Sequence, residues 1–149
     1  AVPKEQIPEE PKDKKQQILH KLKGRRVLLA EDNELNAEIA MELLRENGVE
    51  AERVEDGVEC VKLLQRKPEG YYDLILMDIQ MPKMDGYTAT REIRMMKNNR
   101  KANIPIIAMT ANAFEEDRRK AFQVGMNAHI TKPIDIKKIL ATFDQVFQS

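Results

Sequence analysis

The sequence predicts a doubly wound α/β fold, in which helices cover both faces of a five-stranded parallel sheet of order 2-1-3-4-5. The first observation behind this prediction is that short apolar runs recur along the chain, most strongly at residues 27–30 and 74–77. The second is that segments with helical spacing separate these runs, so that strand and helix alternate. Right-handed crossovers, with residues 74–77 as the central strand, then favour the stated strand order.

The predicted strands differ in how clearly the sequence marks them. Residues 27–30 and 74–77 are wholly apolar, as expected for strands buried on both faces of a sheet. Residues 51–54 form a weaker second strand, residues 104–109 the fourth and residues 128–131 the short fifth. Pro105 lies near the start of the fourth strand, where the missing N–H does least harm.

Helical spacing predicts the five connecting helices. In residues 33–47, Leu35, Ile39 and Leu43 share one side with Leu44 beside them, and Gly48 stands at the position of a C-terminal cap. Further helices are expected at residues 58–66, with Val61 and Leu64 inward, at 87–97, and at 115–124, which is charged and stopped by Gly125. Asp135 caps the last helix, whose apolar stripe is Ile136, Ile139, Leu140, Phe143 and Phe147.

The front of the chain has a different composition from the rest. Residues 1–24 carry three prolines among Lys, Glu and Gln, which is typical of a linker or tail, and the domain is expected to span residues 25–149. Up to Arg26 the formal charge is +4, whereas from Val27 onward it is −4. A short amphipathic turn formed by Ile18, Leu19 and Leu22 is expected to dock on the body.

The overall composition excludes several classes of function. Basic and acidic residues cancel at 25 each, so no direct contact with nucleic acid is expected. The single cysteine, Cys60, excludes an internal disulfide and a cysteine-based zinc site. No apolar stretch approaches the ~20 residues that span a bilayer, and no signal-peptide pattern opens the chain. The body is therefore expected to be cytoplasmic and not embedded in a membrane.

Polar side chains stand at the ends of the predicted strands. Strand one ends in Glu31 and Asp32, strand three in Asp78, strand four in Thr110 and strand five in Lys132. In open parallel sheets, ligands bind beyond the carboxyl ends of the strands where the strand order reverses. The sequence therefore predicts one crevice that contains three carboxylates, a hydroxyl and an ammonium.

The chemistry expected of this crevice is phosphoryl transfer. Clustered carboxylates repel one another, and Mg²⁺ would resolve this conflict, with Asp32 and Asp78 as direct ligands and Glu31 acting through water. An acidic pair can simply cap a solvated turn, but a carboxylate that ends an apolar strand, as Asp78 does, is costly unless paired or metal-bound. Asp78 could act as a covalent nucleophile toward phosphorus, with Lys132 and Thr110 stabilising the phosphoryl oxygens. Because the chain has no glycine-rich phosphate loop, a phosphorylated amino acid on a partner protein fits better as donor than a nucleotide.

Four stretches resemble the receiver domain of two-component response regulators. They are VLLAEDN at residues 27–33, MDIQMPKMDG at 77–86, IAMTA at 107–111 and TKP at 131–133. The resemblance covers the body from about Arg25 to the C-terminus, and it implies the flavodoxin-like (receiver) fold. It also implies that a phosphohistidine, on a histidine kinase or a histidine phosphotransfer protein, supplies the phosphoryl group.

The resemblance assigns roles to the individual residues. Asp78 resembles the phosphoacceptor, and Asp32, Asp78 and the backbone carbonyl of Gln80 resemble the Mg²⁺ ligands, with Glu31 as the outer acidic residue. Glu31 departs from the family, which most often has two aspartates in the acidic pair.

Three further positions match the part of the family pattern that responds to phosphorylation. Thr110 resembles the switch hydroxyl and Lys132 the lysine that pairs with phosphate, and the Lys132–Pro133 peptide is expected to be cis. His129 stands where the family usually has Phe or Tyr; it either fills the space of that ring or adds a pH dependence to the switch. The face formed by the fourth predicted helix, the fifth strand and the fifth helix is a candidate homodimer interface.

The residues of the motifs, especially AEDNELN at 30–36 and MDGY at 84–87, resemble those of receivers attached to the C-terminus of hybrid sensor histidine kinases. The parent chain would then be a kinase, and a membrane anchor elsewhere in that chain is compatible with this interpretation. The domain itself would show only slow autophosphatase chemistry. A stand-alone response regulator and a receiver-like binding module that never carries phosphate are the alternatives, and a response to Mg²⁺ discriminates against the second. A flavin site is rejected because three of residues 31–34 are acidic and would repel its phosphate. A haloacid-dehalogenase-type phosphatase would need an aspartate where Gln80 stands.

Overall fold

The structure, a computed structural model, describes residues 10–112 and 114–148. Five parallel strands form one sheet of order β2-β1-β3-β4-β5, which confirms the predicted topology. The strands are β1 (Arg26–Ala30), β2 (Glu50–Val54), β3 (Leu74–Asp78), β4 (Ile106–Thr110) and β5 (Ala128–Thr131). The register pairs Ala30 with Met77 and Thr110 with Thr131, so that the carboxyl ends of neighbouring strands lie level.

Side chains along β1, β3 and β4 alternate between two separate hydrophobic clusters, one on each face of the sheet. In β1, Val27 and Leu29 belong to one cluster, whereas Leu28 and Ala30 belong to the other. The helices are α1 (Glu10–Leu22), α2 (Glu34–Glu46), α3 (Gly57–Arg66), α4 (Gly86–Arg94), α5 (Asn99–Ala102), α6 (Glu115–Val124) and α7 (Ile136–Gln148). Helices α1, α2 and α7 cover the first face, and α3, α4 and α6 cover the second.

Helices α1 and α5 are additions to the predicted elements. Where the sequence predicts only a short amphipathic turn, α1 is a helix of 13 residues. Leu22 at its end is fully buried in the first cluster, and Ile18 and Leu19 pack against that cluster. The first nine residues of the predicted linker lie outside the described residues, and the division at residue 24 stays a prediction. None of the helices in the described ranges is long and apolar enough to cross a bilayer.

The apolar side predicted for α2 is only partly buried. Leu44 is buried and Leu43 packs against the first cluster, whereas Leu35 and Ile39 are 65% and 52% exposed. The buried side of the helix is formed by Ala37, Ala40 and Leu44. Alanines on this side let the helix approach the sheet closely, and the two larger side chains are left facing outward.

Candidate functional site

The carboxyl ends of four strands open into one crevice. Its volume is about 840 Å³. Six of the predicted site residues line it, and they are Glu31, Asp32, Asp78, Gln80, Thr110 and Lys132. The level register of parallel strands brings these side chains together although the chain separates some of them by 101 positions.

The ammonium of Lys132 joins two buried carboxylates at the centre of the crevice. Its Nζ donates to Glu31 Oε1 at 2.7 Å and to Asp78 Oδ2 at 3.2 Å. Glu31 is 2% exposed and Asp78 is 5% exposed. Because both acids are almost fully removed from water, one ammonium has to offset most of their charge.

The two buried acids differ in proton affinity. Burial raises the pKa of Asp78 to about 7, and its hydrogen bond and charge repulsion with Glu31 add to this effect. Burial alone would also raise the pKa of Glu31, but hydrogen bonds with Asp78, Lys132 and the Asn33 N–H outweigh it, so that this pKa is lowered. Burial likewise opposes the charge of Lys132, whose pKa is nevertheless raised by its hydrogen bonds and charge pairing with Glu31 and Asp78. The Asp78 carboxyl is therefore about half protonated at pH 7, whereas Glu31 keeps its negative charge.

Asp32 completes a group of acids that matches a hard cation. Carboxylate oxygens of Glu31, Asp32 and Asp78 all lie within 4.8 Å of one another. Asp32 is exposed, so a cation bound there would keep access to water, as Mg²⁺ requires. The donor set consists of oxygen atoms only, which suits Mg²⁺ better than a soft metal. Burial and, to a lesser extent, the neighbouring Glu31 carboxylate raise the pKa of Asp78, and a divalent cation would favour its ionised form.

Two short loops hold the remaining polar groups at the crevice. Thr110 is 8% exposed, and its Oγ1 accepts a hydrogen bond from the Asn112 N–H at 3.2 Å. On the other loop, the Gln80 N–H lies 3.4 Å from Asp78 Oδ1, a long contact, and Gln80 itself is exposed at the rim. The hydroxyl of Thr110 thus has its oxygen engaged locally while its proton is free to serve another acceptor.

The loop between β3 and α4 depends on a glycine at its end. The Gly86 N–H donates to Ile79 O at 2.8 Å, which folds the loop back onto β3. A Cβ atom at Gly86 would overlap the carbonyl oxygen of Asp78. Asp85 caps α4 by accepting the Thr88 N–H at 2.7 Å. Only glycine therefore permits this close approach to the backbone of Asp78.

His129 lies outside the crevice lining. It is half-buried in β5, where it pairs in register with Ala108. Its Nε2 atom is buried and has no hydrogen-bond partner among the described residues. Burial lowers the pKa of His129, and the nearby charge of Arg118 adds to that effect. At neutral pH the ring is therefore mainly uncharged. Beyond β5, the Lys132–Pro133 peptide bond is cis.

Sequence reasoning missed several residues around the crevice. Tyr87, Asp117 and Lys120 line its far wall, and the Lys120 ammonium lies 4.6 Å from the Tyr87 ring centroid. Arg53 lies behind the acidic pair and donates to the carbonyl oxygens of Glu31 and Asp32 at 3.0 and 3.1 Å. No sequence pattern predicts which carbonyl a guanidinium will reach, whereas Asp117 could have been found from its place in the first turn of α6.

Comparison with known proteins gives a family and several relatives. Residues 27–144 match the response regulator receiver domain family. Histidine kinase 1 of Arabidopsis thaliana is 37% identical over an alignment 151 positions long, which covers 81% of this chain and 12% of that kinase. The chain spans between 5% and 13% of the lengths of the first curated relatives that it matches.

Solved structures agree with this result. The receiver domain of a sensor histidine kinase from Pseudomonas aeruginosa PAO1, crystallised with a magnesium ion in its active-site cleft, is 38% identical, with a TM-score of 0.75. That comparison covers 85% of this chain and 99% of the other. A Saccharomyces cerevisiae receiver domain, crystallised with a histidine phosphotransfer protein, is 29% identical, with a TM-score of 0.74 over 84% of this chain and 90% of the other. The chain belongs to the response regulator receiver domain family of two-component signalling.

Proposed function

We propose that the domain accepts a phosphoryl group on Asp78 from a phosphohistidine of a partner protein. The observation that carries the proposal is the convergence of the strand ends, where Asp78 sits beside Glu31, Asp32 and Lys132 in an open crevice. A carboxylate oxygen of Asp78 forms the new bond to phosphorus. The phosphorus–nitrogen bond of the donor breaks, and its electron pair stays on the imidazole of the donor.

The surrounding side chains stabilise charge on the transferred group. Lys132 already lies 3.2 Å from Asp78, so its ammonium can pair with a phosphoryl oxygen on that side. The Thr110 hydroxyl can turn its proton toward another phosphoryl oxygen. Phosphoryl transfer depends mainly on such positioning and charge neutralisation, since the protein itself performs little covalent chemistry.

Mg²⁺ is the proposed cofactor. Asp32, Asp78 and the Gln80 carbonyl would hold it, with Glu31 acting through water. When bound, it would offset the negative charge shared by the acids and the phosphoryl oxygens. This assignment rests on the all-oxygen donor set within 4.8 Å.

The proposed donor is a histidine kinase or a histidine phosphotransfer protein. It must reach Asp78 through the crevice, and Ile39 with Pro133 and Ile134 forms an apolar recess beside Lys132. Leu35 and Ile39 of α2 are exposed on the same side. An apolar surface next to the reactive crevice suits a partner helix that presents the phosphohistidine.

We further propose that the parent protein is a hybrid sensor histidine kinase whose domain from residue 25 onward is the cytoplasmic receiver, with residues 1–24 as connecting segment. The matches to long histidine kinases support this assignment over a stand-alone regulator. Such a parent would have kinase activity, whereas the domain alone would only lose its phosphoryl group slowly.

The face formed by α6, β5 and α7 is the proposed site of the response to phosphorylation. A phosphoryl group on Asp78 would draw in Thr110, and His129 would turn into the vacated space. The exposed Phe122 on α6 makes this face our candidate for a homodimer interface. Sedimentation of the phosphorylated protein tests it, because Phe122→Ser should then lower the mass of the particle.

The direct test of the acceptor is incubation with acetyl phosphate, followed by intact mass measurement. We expect the mass of one phosphoryl group to be added in Mg²⁺ and little in EDTA. Asp78→Asn should abolish the gain. Asp85→Asn is the matched control, because Asp85 lines the same crevice and asparagine preserves a helix cap. If Asp78→Asn still gains phosphate, the assignment of the acceptor is wrong; if the unmodified chain never does, the domain is a binding module.

A further inference from the structure

Residues 53–57, which comprise the end of β2, the following turn and the first residue of α3, contact the backbone of both loops that carry the proposed metal ligands. Residues 53–57 contribute no side chain to the lining of the crevice. The Glu31 N–H nevertheless donates to Val54 O at 3.1 Å, and the Gly57 N–H donates to Met84 O at 3.2 Å. The first contact holds the loop after β1, and the second holds the loop after β3.

Arg53 makes the contacts that bear most directly on Asp32. Its Nε donates to Glu31 O at 3.0 Å, and its Nη2 donates to Asp32 O at 3.1 Å. These two carbonyls belong to the peptide groups on either side of the Asp32 Cα atom. Because one planar guanidinium holds both, it fixes the backbone torsions of Asp32 and thereby the direction of its side chain.

Within the described part of the chain, packing does not hold the Asp32 side chain in a comparable way. Asp32 is exposed, whereas Glu31 and Asp78 are buried among their neighbours. The side chain of Arg53 is only 22% exposed, and it belongs to the edge strand β2. The orientation of Asp32 therefore depends on its backbone, and the backbone depends on Arg53.

The other end of the segment fixes the second loop. A Cβ atom at Gly57 would lie 2.5 Å from Met84 O, so the loop can approach this closely only because the residue is glycine. The adjoining Asp56 carboxylate, 4% exposed, lies 3.7 Å from the ammonium of Lys83. Lys83 has a φ of 66°, a conformation that a lysine adopts only when its surroundings impose it.

We propose that residues 53–57 form a positioning segment that sets the spacing of the two metal-binding loops, with Arg53 as the positioning residue for Asp32. This inference rests on the proposed Mg²⁺ site, but it assigns a role to residues that touch neither the ion nor the phosphoryl group.

The direction in which the Mg²⁺ affinity changes when Arg53 is replaced distinguishes a positioning role from a purely electrostatic one. Arg53 carries a positive charge near an acidic site, so removing that charge alone would tighten the binding of a cation. Removing a positioning group would weaken it, and partners that orient metal ligands are typically worth 10-fold to 100-fold in metal affinity. The two explanations therefore predict opposite changes.

The experiment is calorimetric titration of Mg²⁺ into the EDTA-stripped and dialysed chain. We expect Arg53→Gln to raise the Mg²⁺ dissociation constant by about 10-fold. Arg53→Lys should also raise it, because an ammonium keeps the charge but cannot hold two carbonyls in a fixed fork. The matched control is Arg26→Gln, which removes the same charge from a guanidinium that is 33% exposed and also donates to a backbone carbonyl, that of Tyr71. It should leave the dissociation constant within about twofold, since Arg26 lies at the opposite end of its strand.

Three outcomes would overturn the inference. They are an Arg53→Gln variant that binds Mg²⁺ as tightly as the unmodified chain or more tightly, an Arg53→Lys variant that binds like the unmodified chain, and an Arg26→Gln variant that is weakened equally. Should Arg53→Gln fail to fold, as judged by its thermal transition, Arg53→Lys carries the test alone. If the unmodified chain does not bind Mg²⁺, it is the proposed cofactor that fails.

Discussion

Replacing Asp78 by asparagine should stabilise the metal-free protein, although it removes the proposed acceptor. The carboxylate of Asp78 is 5% exposed and lies beside the buried Glu31. Its ionisation in the folded state is therefore unfavourable, which raises its pKa from 3.8 to about 7. Asparagine has a similar shape and carries no charge, so the cost of ionisation disappears.

The size of the effect follows from the pKa. A rise from 3.8 to about 7 corresponds to about 4 kcal/mol at pH 8, at 1.36 kcal/mol for each pH unit. The substitution also deprives the Lys132 ammonium of one of its two carboxylate partners, a loss of about 2 kcal/mol. The expected net gain is therefore about 2 kcal/mol, or about 6 °C in melting temperature. Between about pH 4 and pH 7, Asp78 keeps a proton in the folded protein that it has lost in the unfolded chain. The stability of the unmodified protein therefore falls as pH rises through this range, and Asp78→Asn removes that decrease.

The assay is urea unfolding in EDTA at pH 4, 6 and 8. The stability advantage of Asp78→Asn should be absent at pH 4 and greatest at pH 8. Asp73→Asn is the control, and it should lower the free energy of unfolding. Asp73 accepts the Arg26 N–H at 2.9 Å and pairs with Arg25 at 3.4 Å, and asparagine weakens both contacts. The reasoning is refuted if Asp78→Asn is no more stable than the unmodified protein at pH 8, or if its advantage does not grow with pH.

Three other changes, in pH, at Gly86 and at Arg94, test the site and its supporting contacts. Mg²⁺ affinity, measured by calorimetry, should fall as pH drops below about 7, because a proton on Asp78 then competes with the ion; a flat profile from pH 8 to pH 5 would contradict this. Gly86→Ala should destabilise the fold by about 1–3 kcal/mol in urea unfolding and slow phosphorylation, because the added Cβ displaces the carbonyl of Asp78; unchanged stability would argue against the close approach. Arg94→Met should cost about 2–3 kcal/mol, because the guanidinium donates to three backbone carbonyls and to Asn127 Oδ1; a melting temperature within 1–2 °C of the unmodified chain, about the error of the measurement, would show that these bonds contribute nothing.

The topology was predictable because burial on both faces leaves a clear pattern. Residues 27–30 and 74–77 have no polar side chain, and a strand of that kind fits only the interior of a sheet covered on both sides. Once the strand order followed, the carboxyl ends that carry Asp78 and Lys132 had to be neighbours of the acidic pair. Chain topology thus gives the candidate crevice without any knowledge of side-chain conformation.

What the sequence did not predict depends on packing between distant elements. Leu35 and Ile39 are large and apolar, and their spacing predicts one apolar side of α2, yet Ala37 and Ala40 lie against the sheet. The sequence predicts only a turn in the range of α1 because its many charges and Pro11 are typical of a linker. The burial of Leu22 depends instead on its contacts in the first cluster. Helical periodicity alone does not say which side of an amphipathic segment meets the core.

The alternation of β1, β3 and β4 between two clusters has a consequence for how the molecule can change. Among the described residues, the buried side chains of the first cluster form a group separate from those of the second, because the backbone of the sheet lies between them. Helices on one side can therefore diverge among relatives without repacking the opposite side. Amide hydrogen exchange would reveal this independence. A substitution that leaves a cavity beneath α7, such as Phe143→Ala, should speed amide exchange in α2 and leave the exchange rates in α4 unchanged.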